Sequence, residues 1–247
     1  MGKRKIKVFI VTPAWKRFNV SRVVFSNFNW IRKSLSKSIN IQVVIIANDL
    51  NLNIAKEFGF HTVVSPNHFL GEKFNDGYEF AFKHGADIVI PVGSDSLISP
   101  GIIKRGVKLS KVNNIVFSSM HSVIREDGRM IGNIKTASAK NRSNKGALWL
   151  YRRDVMSKVG FRPCDNRIKK GCDRSTLKSL VDKKTKFILN DINFYQHVGI
   201  KSKNHQICKY HDYKAQFVSQ VAEPFEILKK YYPKNTIIGI KKYYGIK

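Results

Sequence analysis

The stretch GADIVIPVGSDSLISPG, residues 85–101, decides how this chain is read. A small-residue turn at Gly85-Ala86 releases the chain into an apolar run from Ile88 to Val92, short and rich in β-branched side chains. Such a run predicts a strand covered on both faces. It ends on one carboxylate, Asp95, set between Ser94 and Ser96 and followed by Ser99-Pro100-Gly101. A strand end that delivers an acid to a crevice is where an open α/β sheet keeps its ligand.

Upstream, strand-like and helix-like segments alternate. KVFIVTP (7–13) predicts a first strand, and residues 20–37 place apolar side chains at 20, 23, 24, 28, 31 and 35, a helical period. IQVVIIAND (41–49) is a second strand, NIAKEFGF (53–60) a short helix stopped by Gly59, and HTVVSP (61–66) a third strand. KFNDGYEFAFKHGA (73–86) predicts a helix with a glycine stop, and DIVIPV follows as the fourth strand. Four such repeats with short connections predict an α/β fold, a mostly parallel sheet sandwiched by helices. Neither GxGxxG nor GxxxxGK[ST] occurs, so a dinucleotide-binding domain and a P-loop lose their main support.

Downstream the pattern changes. Residues 114–132 predict two strands around the Asp127-Gly128 turn, residues 146–160 a short strand running into a helix, and residues 173–184 a helix with Asp173 near its start. No repeat or low-complexity linker interrupts the chain. The expected organisation is a core of residues 1–199 with a basic C-terminal extension, 200–247, packed on it.

The totals restrict the choices. At 247 residues with 43% hydrophobic content, the chain can bury one substantial core. Its three cysteines, Cys164, Cys172 and Cys208, form no CxxC pair and suit a reducing, cytoplasmic setting. The apolar run after the basic N-terminus is too short for a signal peptide or a membrane span. The amphiphilic ending IIGIKKYYGIK leaves peripheral membrane contact open. Charge is the outlier: 45 Lys and Arg face 17 Asp and Glu, a net +28. Residues 135–186 alone hold 16 Lys and Arg against four acids. A field of this sign attracts polyanions.

Several ordered segments resemble the GT-A type glycosyltransferases, close to their large family 2. They are TPAWKR after the first strand, AND after the second, EKFNDGYEFAFKHGADIVIPVGSDSLISP, GALWLYRRDVMSKVGF and KKGCDRSTLKSL. The resemblance covers roughly residues 5–200. It implies a GT-A, Rossmann-like fold and a nucleotide-sugar donor, UDP-linked above others. Thr12, Pro13, Trp15 and Arg17 would form the nucleotide rim, Asp49 would contact base or ribose, and Lys73 and Ser94 would lie near the phosphates. Asp95 would meet a Mn²⁺ or Mg²⁺ ion with His197 completing the shell, and Asp173, with Asp165 as its rival, would be the base of an inverting transfer. One departure stands out: the family commonly carries a second acid in the turn, where this chain has Ser96. Lysines such as Lys73 could then share the neutralisation of the diphosphate.

The acceptor is read from charge. A strongly basic surface fits DNA, and the chain is similar in that respect to bacteriophage enzymes that place sugars on hydroxymethylated cytosine. Arg152, Arg153, Lys169, Lys170 and Arg174 are the candidate contacts to duplex DNA. A surface polysaccharide or lipid-linked glycan is the alternative acceptor, and a GT-A-like nucleic-acid-binding module without catalysis is the alternative class. The histidines at 197, 205 and 211 lack the spacing of a zinc finger.

Overall fold

The computed structural model describes residues 4–118, 120–135, 148–180, 185–190, 193–201 and 210–247. The first half alternates as its hydrophobic periods dictate: β1 (Lys7–Pro13), α1 (Phe18–Leu35), β2 (Asn40–Ala47), α2 (Asn51–Glu57), β3 (His61–Val64), α3 (Leu70–Lys83) and β4 (Ile88–Pro91). These strands are parallel and lie in the order β3-β2-β1-β4. The chain steps outward from β1 to β3, then returns to the other side of β1. That reversal opens a crevice between the C-terminal ends of β1 and β4.

Period-2 alternation sends each strand's side chains to two cores. Val8 and Ile10 of β1 join Ile41, Val43 and Ile45 of β2 under α1, against its buried stripe Val20, Val24, Phe28, Ile31 and Leu35. Phe9 and Val11 join Val44 and Ile46 on the opposite face, under Tyr78, Ala81 and Phe82 of α3. The sheet is therefore covered twice, as its unbroken apolar runs require.

The second half holds β5 (Ser96–Ile98), α4 (Pro100–Leu109), β6 (Ile115–Ser118), β7 (Met120–Ile124), β8 (Met130–Lys135), β9 (Leu148–Arg152), α5 (Arg153–Ser157), α6 (Cys172–Leu180), β10 (Phe187–Leu189), β11 (His197–Ile200), β12 (Phe217–Ala222), α7 (Phe225–Leu228) and α8 (Lys234–Tyr244). Strand β9 runs antiparallel beside β4 and β6, and β10 closes the seven-stranded sheet in parallel with β6. A second sheet, β12-β8-β7-β11-β5, was not foreseen.

Two expectations need correction here. The 114–132 stretch carries three strands rather than two: β6 belongs to the large sheet, and only β7 and β8 form the hairpin across Asp127-Gly128. The helix predicted over 73–86 runs from Leu70 to Lys83 instead, because Phe69 is extended and the helix opens right after it. Residues 210–247 supply β12 to the second sheet and α8 against α1. Of the predicted elements, 146–147 and 181–184 lie outside the described residues, as do His205 and Cys208.

Candidate functional site

The chain leaves β1 at Ala14 and crosses the crevice mouth through Trp15, Lys16 and Arg17. Lys16 and Arg17 are both left-handed, at φ 52°. Each such residue costs on the order of 1–3 kcal/mol unless its surroundings enforce it. Here they do. Asp49 accepts the Lys16 N–H at 2.8 Å, and the Asn51 amide donates to the Lys16 carbonyl at 3.1 Å. The other Asp49 oxygen accepts from the Asn51 backbone N–H and amide. Asp49, expected at the base or ribose, spends both oxygens on shaping this turn.

The turn aims Arg17 across the crevice. Its Nη2 donates to Ser94 Oγ at 3.1 Å, and its Nη1 lies 3.4 Å from Asp95 Oδ2. The Lys201 ammonium lies 3.3 Å from that same oxygen. Asp95 and Lys201 are both nearly closed off, their side chains 12% and 8% exposed. The second sheet makes this pair. Strand β5, directly after Asp95, runs antiparallel to β11, and the Ile200 N–H donates to the Asp95 carbonyl at 2.7 Å. Lys201, one residue beyond β11, thereby arrives beside the acid. The Tyr244 hydroxyl donates to its carbonyl at 2.7 Å, and the Tyr213 ring lies 5.5 Å from its ammonium. Gly93 leaves the room: a Cβ there would lie 2.7 Å from Asp95 Oδ1.

His197 of β11 pairs with Ile98 of β5, and its ring lies 5.6 Å from that of His121. Neither Nδ1 has a partner among the described residues. Burial pushes the His197 imidazole down to about 4, with the Asp95 charge opposing and the Lys201 charge assisting. Burial also carries His121 well below its ordinary value, helped by His197 and Lys201. Both rings are neutral at pH 7.

A Mn²⁺ or Mg²⁺ ion does not fit this arrangement. Mg²⁺ demands octahedral oxygen ligation at about 2.0–2.1 Å. Asp95 instead faces two cations on one oxygen, and among the described residues no group of three His, Cys, Asp or Glu side chains can hold a metal. The expected Asp95–His197 metal shell is replaced by an acid between an arginine and a lysine, with two neutral imidazoles alongside.

The remaining predicted residues fall elsewhere. Thr12 and Pro13 end β1 as predicted, and both are buried there. Trp15 is 40% exposed, with the Lys16 ammonium 4.7 Å from its ring centre. Lys73 is a buried strut: its ammonium donates to the Ala14 carbonyl at 2.9 Å and to Asn67. Burial lowers it to about 8 against the charge of Asp49. The lysine that stands beside Asp95 is Lys201, which no local signal marked.

Asp165 and Asp173 sit in a third group, at the N-terminal end of α3. The Asn75 side chain donates to the Cys164 carbonyl at 2.7 Å and accepts the Cys164 N–H at 3.0 Å, fixing this loop. Gly71 lets it approach, since a Cβ at that position would lie 2.0 Å from the Asp165 carbonyl oxygen. Asp165 is exposed, and its carboxylate accepts the Arg167 N–H at 2.9 Å. Asp173, half-buried in the first turn of α6, projects its charge onto the Tyr78 and Tyr151 hydroxyls. Burial first, and that charge with others, raises both phenols.

The five predicted DNA contacts separate. Lys169, Lys170 and Arg174 are exposed beside Asp173, with the Lys169 ammonium over Phe69. Arg152 and Arg153 are at the other end of α3, about 20 Å away at 1.5 Å per residue. Arg152 pairs with Asp154 and donates to the Ser110 carbonyl. Arg153 donates to the Ala86 and Phe82 carbonyls at the α3 C-terminus, where a cation complements the helix end. These two arginines are structural fastenings and share no face with the other three.

No family model matches the chain, and no curated protein matches its sequence. Among solved structures, it is similar to S. aureus TarS 1–349 in complex with UDP: TM-score 0.57 at 12% identity, over 80% of this chain and 61% of that one. The TarS 1–349 complex with UDP-GlcNAc gives a TM-score of 0.54 at 14% identity, over 82% and 60%. The chain spans about three-fifths of that TarS fragment. The 4-diphosphocytidyl-2C-methyl-D-erythritol synthase of Anaerococcus prevotii DSM 20548 gives a TM-score of 0.50 at 12% identity, over 86% and 96%. What this chain shares with them is the fold, a GT-A, Rossmann-like α/β sandwich.

Proposed function

We propose that this chain transfers a sugar from a UDP-linked donor to a hydroxyl on an anionic polymer. The observation that carries it is the Arg17–Asp95–Lys201 cluster at the crevice where the strand order reverses. That crevice is where open α/β sheets bind nucleotides, and the similar TarS structures hold UDP and UDP-GlcNAc. Exposed Trp15 offers its ring to the base at the rim. Arg17 and Lys201 face the diphosphate, where negative charge grows as the leaving group departs.

The acceptor oxygen attacks the anomeric carbon from the side opposite the diphosphate. The bond from that carbon to the phosphate oxygen breaks, its electron pair leaves with UDP, and the sugar inverts. Asp173 takes the hydroxyl proton. The Lys169, Lys170 and Arg174 face beside it attracts the polymer. Among polyanions with a free hydroxyl, duplex DNA carrying 5-hydroxymethylcytosine is the acceptor to test first.

The test is transfer from labelled UDP-sugars to hydroxymethylated DNA, with unmodified DNA and an anionic surface glycan beside it. Label on the hydroxymethylated DNA with release of UDP is expected. Label on the glycan alone would keep the transferase and move the acceptor. A second reading, nucleotidyl transfer, is favoured by the 96% coverage of the erythritol-phosphate type synthase fold; release of pyrophosphate from a nucleoside triphosphate would select it.

A further inference from the structure

We propose that the diphosphate of the donor is neutralised by Lys201 and Arg17 in place of a divalent cation, so that nucleotide binding at this site is metal-independent. The inference rests on the donor crevice proposed above and adds what holds the phosphates there.

Three features carry it. First, the carboxylate that would ligate a metal already serves two cations through one oxygen, Arg17 Nη1 at 3.4 Å and Lys201 Nζ at 3.3 Å. A divalent ion would have to enter beside two fixed positive charges, which low-dielectric surroundings make costly. Second, the lysine is built in. Its carbonyl accepts from the Tyr244 hydroxyl, its ammonium lies over Tyr213, and the Ile200 N–H beside it is tied to the Asp95 carbonyl. A buried ammonium this constrained is not a wandering surface lysine. Third, the Arg17 and Lys201 cations converge on one carboxylate oxygen beside the uncharged imidazoles of His121 and His197, an arrangement that receives an anion.

Geometry also suits a diphosphate. Arg17 presents a planar fork, of which one nitrogen holds Ser94 Oγ, and Lys201 presents a point charge at the same Asp95 oxygen. Fork and point charge together can meet two phosphate groups, with Asp95 fixing the spacing between them. Ser96, standing where a second acid is usual in this turn, then costs nothing, because no metal needs its carboxylate.

The experiment is calorimetric titration of the full chain with UDP, in EDTA and again with Mn²⁺ or Mg²⁺, with uridine as the probe lacking a diphosphate. Equal UDP affinity within about twofold in both buffers is expected. Lys201→Met should weaken UDP at least about tenfold while leaving uridine unchanged, and Lys201→Arg should restore most of the loss. UDP binding that requires the metal, absence of UDP binding in EDTA, or a Lys201→Met protein that binds UDP normally would each overturn the proposal. The wild-type comparison needs no variant to fold. Metal-free UDP binding without sugar transfer to any acceptor would leave this inference standing and remove the transferase reading instead.

Discussion

Asp95 and Asp173, the two acids central to the proposed chemistry, occupy opposite kinds of surroundings. Asp95 closes a crevice between two parallel strands and is gripped by an arginine and a lysine. Asp173 stands half-buried on a helix start, among the hydroxyls of Tyr78 and Tyr151 and the thiols of Cys164 and Cys172. The first environment suits an anchor that positions cations. The second, on the first turn of α6 with its charge raising the Tyr78 and Tyr151 phenols, suits a group that exchanges a proton. The difference teaches that a shared residue type says little about role; the charges that tertiary packing sets beside it say more.

That contrast can be broken in order of expected effect. Asp173→Asn should lower turnover by about 10²–10⁴-fold while leaving UDP affinity unchanged, and Asp165→Asn should change turnover little. Steady-state kinetics with a UDP-sugar read both, and equal losses in the two variants would erase the distinction between these acids. Gly71→Ala, which drives a Cβ into the Asp165 carbonyl, should destabilise the chain by about 1–3 kcal/mol in urea and disturb the Asp173 loop before the Asp95 crevice.

The Asp95 side predicts a pH signature. His197 titrates at about 4 in the folded chain against 6.5 as its ordinary value, and His121 is lowered too. Between those limits the unfolded state binds more protons, so stability rises with pH and is lost as pH falls from about 6.5 toward 4. Urea midpoints should show that fall, with His197→Gln flattening it; an unchanged slope in the variant would mean that His197 is not buried neutral. Smallest in effect, Lys169→Ala and Lys170→Ala should each reduce the salt slope of polyanion binding by about one charge. Arg152→Ala should instead lower stability and leave that slope alone, because its guanidinium fastens Asp154 and the Ser110 carbonyl.

Much of the first half was legible. The alternation of Val8, Phe9, Ile10 and Val11 between two cores, and the 3.6-residue stripe of α1, are local periods that the sequence displays directly. Asp95 could be placed because a strand end is a local event, and the position of Trp15 follows from the same logic. The strand end at Pro13 was legible, but not the burial of Thr12 and Pro13, which depends on what packs over the end of β1. Lys73 and Lys201 look alike as letters. One props the Ala14 turn, and the other reaches the acid.

By itself the sequence determined the α/β class, the covered sheet, the acid at its edge and the positive field. Those follow from hydrophobic period and composition, which act over a few residues or over the whole chain. Only the tertiary structure decided what stands beside Asp95. Lys201 is 106 positions away and arrives through the antiparallel pairing of β5 with β11. Strand pairing at that separation is fixed by burial of both sheets together, not by any neighbouring residue, and the same packing holds Arg152 and Arg153 away from Lys169.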